Sequence, residues 1–516
     1  MPESVASSAG EKIVGVTSPL RIDRVLGDRP FAEVGEPALA VAEESRGLLA
    51  VAGTYEFGTA PVGVYDVGDL GCRALARSGY PVHAMAFHPT FPLLVIGTGR
   101  YDGGYFFEGE LLLMDLETST GVSLIEHPLG RQVLALEWLT GQELRVLMAP
   151  PDDWQDKDAW AEGHVAVVRR RDWRVVPPRS ITGVELAGPR VAAPRFDSRE
   201  DARRAVFSLS ADWDPRHDVR AVEELPDGRI LATLDGAQAE PWLLSGDRQW
   251  TVPDDKGGRD IVVATDEQSV WVSLMRPEWE ERPQSLVRLS LEDGAQLEQL
   301  TLSAPASLVR CADGLPAVAP SGHVGERSRL RIRRGSRVYF REIDREREWT
   351  PEPSEAWLAA ADLKDPPIAG RPREPTEREF RRLLPYSWTP GETHFAGPGV
   401  ETTDGSLVHA GTVYHGHGLQ PGGSFVVRRK VASGEPRWVF RTDRKATDLD
   451  ADAETAYVAY DDGEIVALDL HDGTVRSCRQ LTVAGVPAIP TALTVAGPGR
   501  LLIGTSDGRI LDCSAG

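Results

Sequence analysis

PVHAMAFHPTFPLLVIGTGRYDGGYFFEGELLLMDLETSTGVSLIEHP, residues 81–128, contains four short apolar runs, each closed by turn-forming residues. Residues 82–87 lead into His-Pro, 93–98 into a glycine-rich loop and 111–116 into a polar turn, and 122–126 complete the set. Short aliphatic runs bounded by Gly, Pro and Asp predict strands, and four in succession predict one antiparallel four-stranded unit. Repetition of such a unit every 40–45 residues or so is the mark of a β-propeller.

Looser copies extend in both directions. The first unit comprises 38–43, 48–54, 62–67 and 72–77, and the third comprises 133–138, 144–148, 164–169 and 173–176. A poorer fourth follows at 219–224, 230–234 and 242–244, and a fifth at 261–265, 270–274, 286–291 and 297–302. The sixth is read at 308–311, 317–319, 330–334 and 338–341, the seventh over 393–442 and the eighth over 446–481. A ninth begins at 491 and has only three strands. Residues 1–19 read as a flexible tail, and the strand 20–26 has no local partner. It is expected to supply the missing strand of the ninth unit, so that the ring closes and no edge is exposed.

Two stretches interrupt the beat. Residues 177–218 are rich in Pro, Arg and Asp, with a short helix expected over 198–207 capped by Ser198. Residues 343–390 are charged and Pro-rich, with a helical turn after Thr376 stopped by Pro385. The expected fold is all-β: a single β-propeller of seven to nine four-stranded antiparallel blades over 20–516, carrying these two insertions. Asp-Gly pairs at Asp102, Asp227, Asp235, Asp293, Asp313, Asp404, Asp462, Asp472 and Asp507 fall where blades must turn. Asp-Gly tolerates the positive φ of two-residue hairpins.

The segments AYVAYDDGEIVALDLHDGTVRSC (456–478) and LLIGTSDGRILDCS (501–514) resemble the strand, turn, strand pattern of WD40-like and quinoprotein-like propellers. The second unit resembles it as well. The Trp-Asp and Gly-His signatures of strict WD40 repeats are replaced, with Met114-Asp115 and Leu468-Asp469 in their place, as in a divergent, bacterial-type member. The resemblance implies the fold and leaves the function open.

The chain has 516 residues and a formal charge of −21, from 78 acidic against 57 basic side chains. That balance disfavours a nucleic-acid or anionic-membrane surface, which needs basic excess. A protein partner with a basic surface fits better. No signal segment opens the sequence, and no apolar run approaches the roughly 18 residues of a membrane helix. Cys72, Cys311, Cys478 and Cys513 form no CxxC pair, so a reducing cytoplasm is the expected location.

The connections between second and third strands all point to one face of the disc, and several are long. They carry Tyr55, Phe57, Tyr101, Tyr105, Phe106, Phe107, Trp154, Trp160 and Trp279, beside Asp152, Asp153, Asp156, Asp158, Glu278, Glu280 and Glu281. Aromatic side chains next to carboxylates suit a partner's apolar anchors and basic groups. The competing expectation is that these rings pack their own loops onto the blades.

Candidate chemistry is sparse. His415 and His417, at the i, i+2 spacing of a strand, could share a metal with His409 or a loop carboxylate as a third ligand, although their glycine neighbours read more simply as a turn. Residues 504–508 match GxSxG, but a strand follows at once where a nucleophile elbow needs a helix, so a hairpin turn is expected. The run 327–337 alternates Arg with Leu and Ile, as in a strand with one solvated face. No catalytic group and no cofactor is assigned. The leading expectation is a non-catalytic interaction scaffold. The alternative, a metal-dependent hydrolase or a lactonase-like or quinoprotein-like propeller enzyme, requires inward His, Asp or Glu ligands gathered from several blades.

Overall fold

The computed structural model describes residues 20–320 and 393–514, apart from 56–58, 102–106, 128–131, 151–159, 212, 265, 275–283, 303–305, 311–315, 395–397, 403, 405, 416–417, 431–435 and 443. Within this set the architecture is all-β, built of successive antiparallel sheets that are mostly four-stranded. The second sheet consists of Val82–Phe87, Leu93–Thr98, Leu111–Asp115 and Thr120–Ser123, in line with the opening stretch of sequence. The first contains Pro37–Glu43, Leu48–Gly53, Ala60–Asp66 and Cys72–Ser78. The fifth (Gly258–Val263 to Gln296–Leu302) and eighth (Ala446–Ala451 to Val475–Gln480) also fall close to their expected positions. In the ninth, Pro490–Gly497, Arg500–Thr505 and Ile510–Ser514 are joined by Arg21–Leu26, which pairs antiparallel with Ile510–Ser514.

Three strand assignments are corrected. Trp173–Val175, within the expected strand 173–176, form a 3-10 turn, because the Asp172 carboxylate accepts the Arg174 N–H and Trp173 is drawn wholly inside, 5.0 Å from the Trp138 ring. Arg190–Ala192 supplies the third sheet's last strand instead, from within the stretch taken as an insertion. In the fourth sheet the third strand is Ala237–Trp242 rather than 242–244, reached through the Asp235-Gly236 turn. The seventh sheet is built around a long hairpin of Ser406–His415 and Gly418–Lys430. The helix Arg199–Leu209 begins after Ser198 as expected, but Ser198 does not cap it: its hydroxyl donates to the Ala38 carbonyl, 2.9 Å away. Residues 321–392, which include the rest of the sixth unit, the Arg-rich run and the second interruption, lie outside the described residues.

The turns show why Asp-Gly recurs. Gly228, Gly236, Gly294, Gly463, Gly473 and Gly508 all have φ between 74° and 93°. Their aspartates do not, so these are not the type I′ turns that require positive φ at both central residues. Instead Asp227, Asp293, Asp462 and Asp472 each accept the backbone N–H two positions on through Oδ1 at 2.9–3.1 Å. The carboxylate closes the bend and glycine takes the left-handed position.

Successive sheets pack face to face. Leu48, Ala50, Val62 and Val64 meet Met85, Leu94 and Ile96 between the first and second, and Leu93, Val95 and Leu113 meet Val133, Leu144 and Val146 between the second and third. Side chains of this kind contribute roughly 1.5–3 kcal/mol each when fully buried.

The packing order departs from one circuit of nine. The fourth sheet lies against the ninth, where Val219, Val222 and Ile230 share a buried cluster with Ala492, Leu502 and Leu26. The Ile-Gly-Thr triplets at 96–98 and 503–505 explain the choice. A side chain at Gly97 would collide with Val133, and one at Gly504 with Val219, each valine Cγ1 lying 2.4 Å from the position a Cβ would take. Each glycine thus seats the valine that opens a neighbouring sheet, and the ninth sheet's glycine seats that of the fourth. The fourth continues to the fifth, the seventh to the eighth and the eighth back to the ninth through further buried clusters. The first three sheets form an arc between Leu26 and Val219, and the first sheet's outer face is closed by Phe31, Val34, Val206 of the helix and Trp213.

Candidate binding rim

The first strand of several sheets carries a bulge after its first residue, seen at Pro37/Leu39, Val82/Ala84, Val133/Ala135, Val219/Ala221, Ala446/Asp448 and Pro490/Ala492. A bulge leaves one residue out of the ladder and redirects its side chain. In two of them a threonine uses that freedom to tie neighbouring sheets, Thr447 to the Pro490 carbonyl and Thr491 to the Val219 carbonyl, both at 2.7 Å. In the second sheet the bulged residue is His83. Its Nε2 lies 2.7 Å from the Gly99 carbonyl, and since a carbonyl only accepts, this nitrogen carries the hydrogen.

Above His83 the chain turns into a short hairpin of Arg100–Tyr101 and Phe107–Glu108. Phe107 is fully buried against Ala149 and supports Tyr101 at 5.7 Å. Trp160, in the turn just before the third sheet's strand Glu162–Arg169, meets both rings edge-on, 5.4 Å from Tyr101 and 5.1 Å from Phe107, yet remains 52% exposed. The Arg100 guanidinium lies over the Tyr55 and Tyr80 rings, 5.7 Å from each centroid. Gln132 enters from beneath, its side chain 7% exposed and its amide 2.9 Å from His83 Nε2.

Burial lowers the His83 pKa, the Gly99 carbonyl opposes this, and the Arg195 charge lowers it further. Burial raises Glu110, and Tyr80 is raised first by burial and then by Glu108 and Glu110.

Of the aromatic and acidic residues singled out for partner binding, Tyr101, Phe107 and Trp160 are thus brought into one cluster. Phe107 is its buried support and offers no surface of its own. Tyr105, Phe106, Trp154, Trp279, Asp152 and Asp153 lie outside the described residues, as does His417; His415 is a strand residue whose side chain is likewise outside them. His409 is buried, with Nδ1 3.2 Å from the Ala410 carbonyl and its ring 6.2 Å from Phe425, which is the setting of a packed core histidine. Among the described residues no group of three or more His, Cys, Asp or Glu side chains is arranged to hold a metal ion. Residues 504–508 form a hairpin turn between the strands Arg500–Thr505 and Ile510–Ser514.

A second concentration of polar groups joins the arc to the ninth sheet. Arg216 and Glu240, both buried, form a two-pronged ion pair, and Glu240 also accepts from Trp242 Nε1 at 2.8 Å. Arg216 donates to the Gly508 carbonyl, and Arg29 donates to the carbonyls of Asp214, Arg216 and Asp507. Arg509 pairs with Asp507 at 2.6 Å and Glu33 at 3.2 Å, while the Tyr65 hydroxyl donates to Glu33. These charges are matched to one another and to backbone carbonyls, which is the pattern of a structural junction.

No known protein-family profile matches the sequence, and no curated protein matches it. Among solved structures it is similar to a computationally designed protein, Ika8, at 11% identity over 94% of this chain and 98% of that one, with a TM-score of 0.19. A putative oxidoreductase (glucose dehydrogenase) of Thermus thermophilus aligns at 16% identity over 58% of this chain and 96% of its own, with a TM-score of 0.34. Sqt1 of Saccharomyces cerevisiae aligns at 11% identity over 85% and 97%, with a TM-score of 0.27. Superpositions this loose carry no argument about site or activity.

Proposed function

We propose that this chain is a non-catalytic scaffold that binds another protein through the rim built by Tyr101, Phe107 and Trp160. The observation that carries the reading is the state of Trp160: half exposed, yet held edge-on by two rings, one of them fully buried. A large ring fixed in advance loses little freedom on docking, which is the character of an interface anchor. The formal charge of −21 suits a partner with a basic surface.

The proposed architecture behind it is a propeller in which the fourth to ninth sheets, with Arg21–Leu26, form a ring of six blades and the first three sheets form a separate arc. The buried cluster joining the fourth and ninth sheets supports this arrangement. Carboxylates on the first strands of these blades serve the fold: Asp448 and Asp450 accept the Leu493 and Val495 N–H groups, and Asp260 accepts from Ser273. That use favours a scaffold over an enzyme working in the channel.

The test is affinity capture of the tagged chain from its own cell extract beside Trp160→Ala. Recovery of a stoichiometric protein by the parent and at least a tenfold loss by the variant are expected; equal recovery by both would sink the reading.

A further inference from the structure

The seam between the arc of the first three sheets and the rest of the molecule is polar. Among the described residues, each cluster of buried apolar side chains belongs to one side of it. Phe31, Val34, Val206 and Trp213 close the arc's own core, while Leu26 joins the core of the fourth and ninth sheets. Across the seam run the Glu33–Arg509 ion pair at 3.2 Å and a hydrogen bond from Arg77 to the Pro487 carbonyl at 3.3 Å. Two bodies with separate cores and a polar seam are built like domains, for which relative motion is the default.

The groups at the seam keep partners when it parts. Arg509 stays with Asp507 through two nitrogens, Nε at 3.1 Å and Nη2 at 2.6 Å, and with Asp28 at 3.5 Å. Glu33 stays with the Tyr65 hydroxyl, 3.1 Å away. Separation therefore leaves no buried charge alone, which is the costly event in breaking an ion pair. The two chain segments that cross the seam are tied together and to the ninth sheet's hairpin by Arg29, which donates to the Asp214, Arg216 and Asp507 carbonyls. Both segments are irregular, residues 28–29 and 213–218 lying in no strand or helix. Phe31, where the chain enters the arc, holds φ 60°, uncommon for a bulky residue, with its ring buried 4.7 Å from Tyr65. The chain changes direction there at a single residue.

We infer that the arc is a hinged body, swinging on the segments through Pro30 and Trp213, with the Glu33–Arg509 ion pair as the latch that holds it against the ring. The inference rests on the arc-and-ring arrangement and adds a motion to it. A few irregular residues at each crossing absorb the change of backbone angle, and the sheets on either side move whole. Tyr101, Phe107 and Trp160 belong to the arc, so the rim shifts as one piece, and a partner touching both bodies favours the closed state.

The probe is a pair of nitroxide labels on the full chain, read as a distance distribution by pulsed electron resonance. One label sits on Cys478 of the eighth sheet, which is exposed, and the other on Glu117→Cys, in an exposed turn of the second sheet, in a Cys311→Ser background. Glu33→Gln keeps an acceptor for Tyr65 and removes the charge that faces Arg509. Expected in this variant is a second, longer distance, its share of the molecules at least about tenfold that in the parent. A pair confined to the arc, Glu117→Cys with Phe196→Cys in a Cys478→Ser chain, should keep its distance throughout. Identical distributions in parent and Glu33→Gln overturn the inference. A change in the arc-only pair overturns it too, since the arc would then unravel rather than swing. Should Glu33→Gln lose its cooperative transition, Arg509→Lys carries the same test with the same outcomes, because an ammonium lacks the fork that spans two carboxylates. Labels that stay fixed in every variant defeat the hinge alone, whereas a chain that cannot fold without residues 31–212 defeats the arrangement beneath it.

Discussion

Glu240 has both oxygens committed to Arg216, with Trp242 Nε1 and Arg248 as further donors. Truncation would leave the buried Arg216 guanidinium without its counter-charge, so Glu240→Ala should lower stability by about 3–5 kcal/mol, read from urea unfolding. Asp507 makes a different demand. Burial pushes its pKa up, but the Arg509 charge, hydrogen bonds from Arg509 and Thr505 and the Arg29 charge outweigh this and hold it below the usual value. A carboxylate with a depressed folded-state pKa contributes stability above its unfolded value of about 3.9, and that contribution disappears as the pH falls through the folded value. Asp507→Asn should therefore be least stable relative to the parent near neutral pH, and the gap in urea midpoint should shrink below about pH 4. A gap independent of pH would refute the assignment. Thiol chemistry gives a third check. Burial pushes Cys72 and Cys513 up to about 12, whereas Cys478 is exposed. Among these three, iodoacetamide at about pH 8 should modify Cys478 in the native protein and the other two only after unfolding, as mass spectrometry of the peptides would show. At this scale the turns were legible, because Asp-Gly reports a local backbone preference. His83 and Gln132 were not: a histidine in an apolar strand and a glutamine before one acquire meaning only through a bulge and a glycine distant in the sequence.

Strands were legible where both faces of a sheet are buried, as in Leu48–Gly53 and Leu93–Thr98, where each residue is buried and the apolar run is continuous. The reading failed where tertiary contacts overrode the pattern. Residues 173–176 look like a strand by composition, but burying the whole Trp173 indole against Trp138 favours a turn. Ala237–Trp242 was missed because Gln238, Glu240 and Pro241 disguise it, and Glu240 is polar there only because Arg216 meets it. The helix Arg199–Leu209 was placed almost to the residue, while its role, covering the first sheet with Ala202 and Val206, was not readable. Val206→Asp should detach it, lowering Tm by several degrees and making residues 199–209 newly sensitive to limited proteolysis.

At the scale of the molecule, the departure from a single circuit has a direct test. Arg29 donates to the Asp214 carbonyl, so the two chain segments that enter and leave the arc run side by side. Excising residues 31–212 and joining the ends by a short Gly-Ser link should leave a chain that melts in one cooperative transition with strand-type circular dichroism; an unfolded product would mean that the arc and the rest form one cooperative unit. That the chain is built of repeated antiparallel units was visible in the spacing of apolar runs, whereas their order of packing was not, since it depends on which valine each glycine admits. The pairing of Arg21–Leu26 with Ile510–Ser514 bears also on how the protein is made. Arg24 and Asp512 are 488 positions apart, so the ninth sheet cannot be completed until almost the whole span has left the ribosome. At roughly 5–20 residues per second the early strand waits about half a minute or more with both edges bare. For that interval the nascent chain is a client for chaperones, and synthesis rate, more than intrinsic folding speed, sets when its last seam can be sewn.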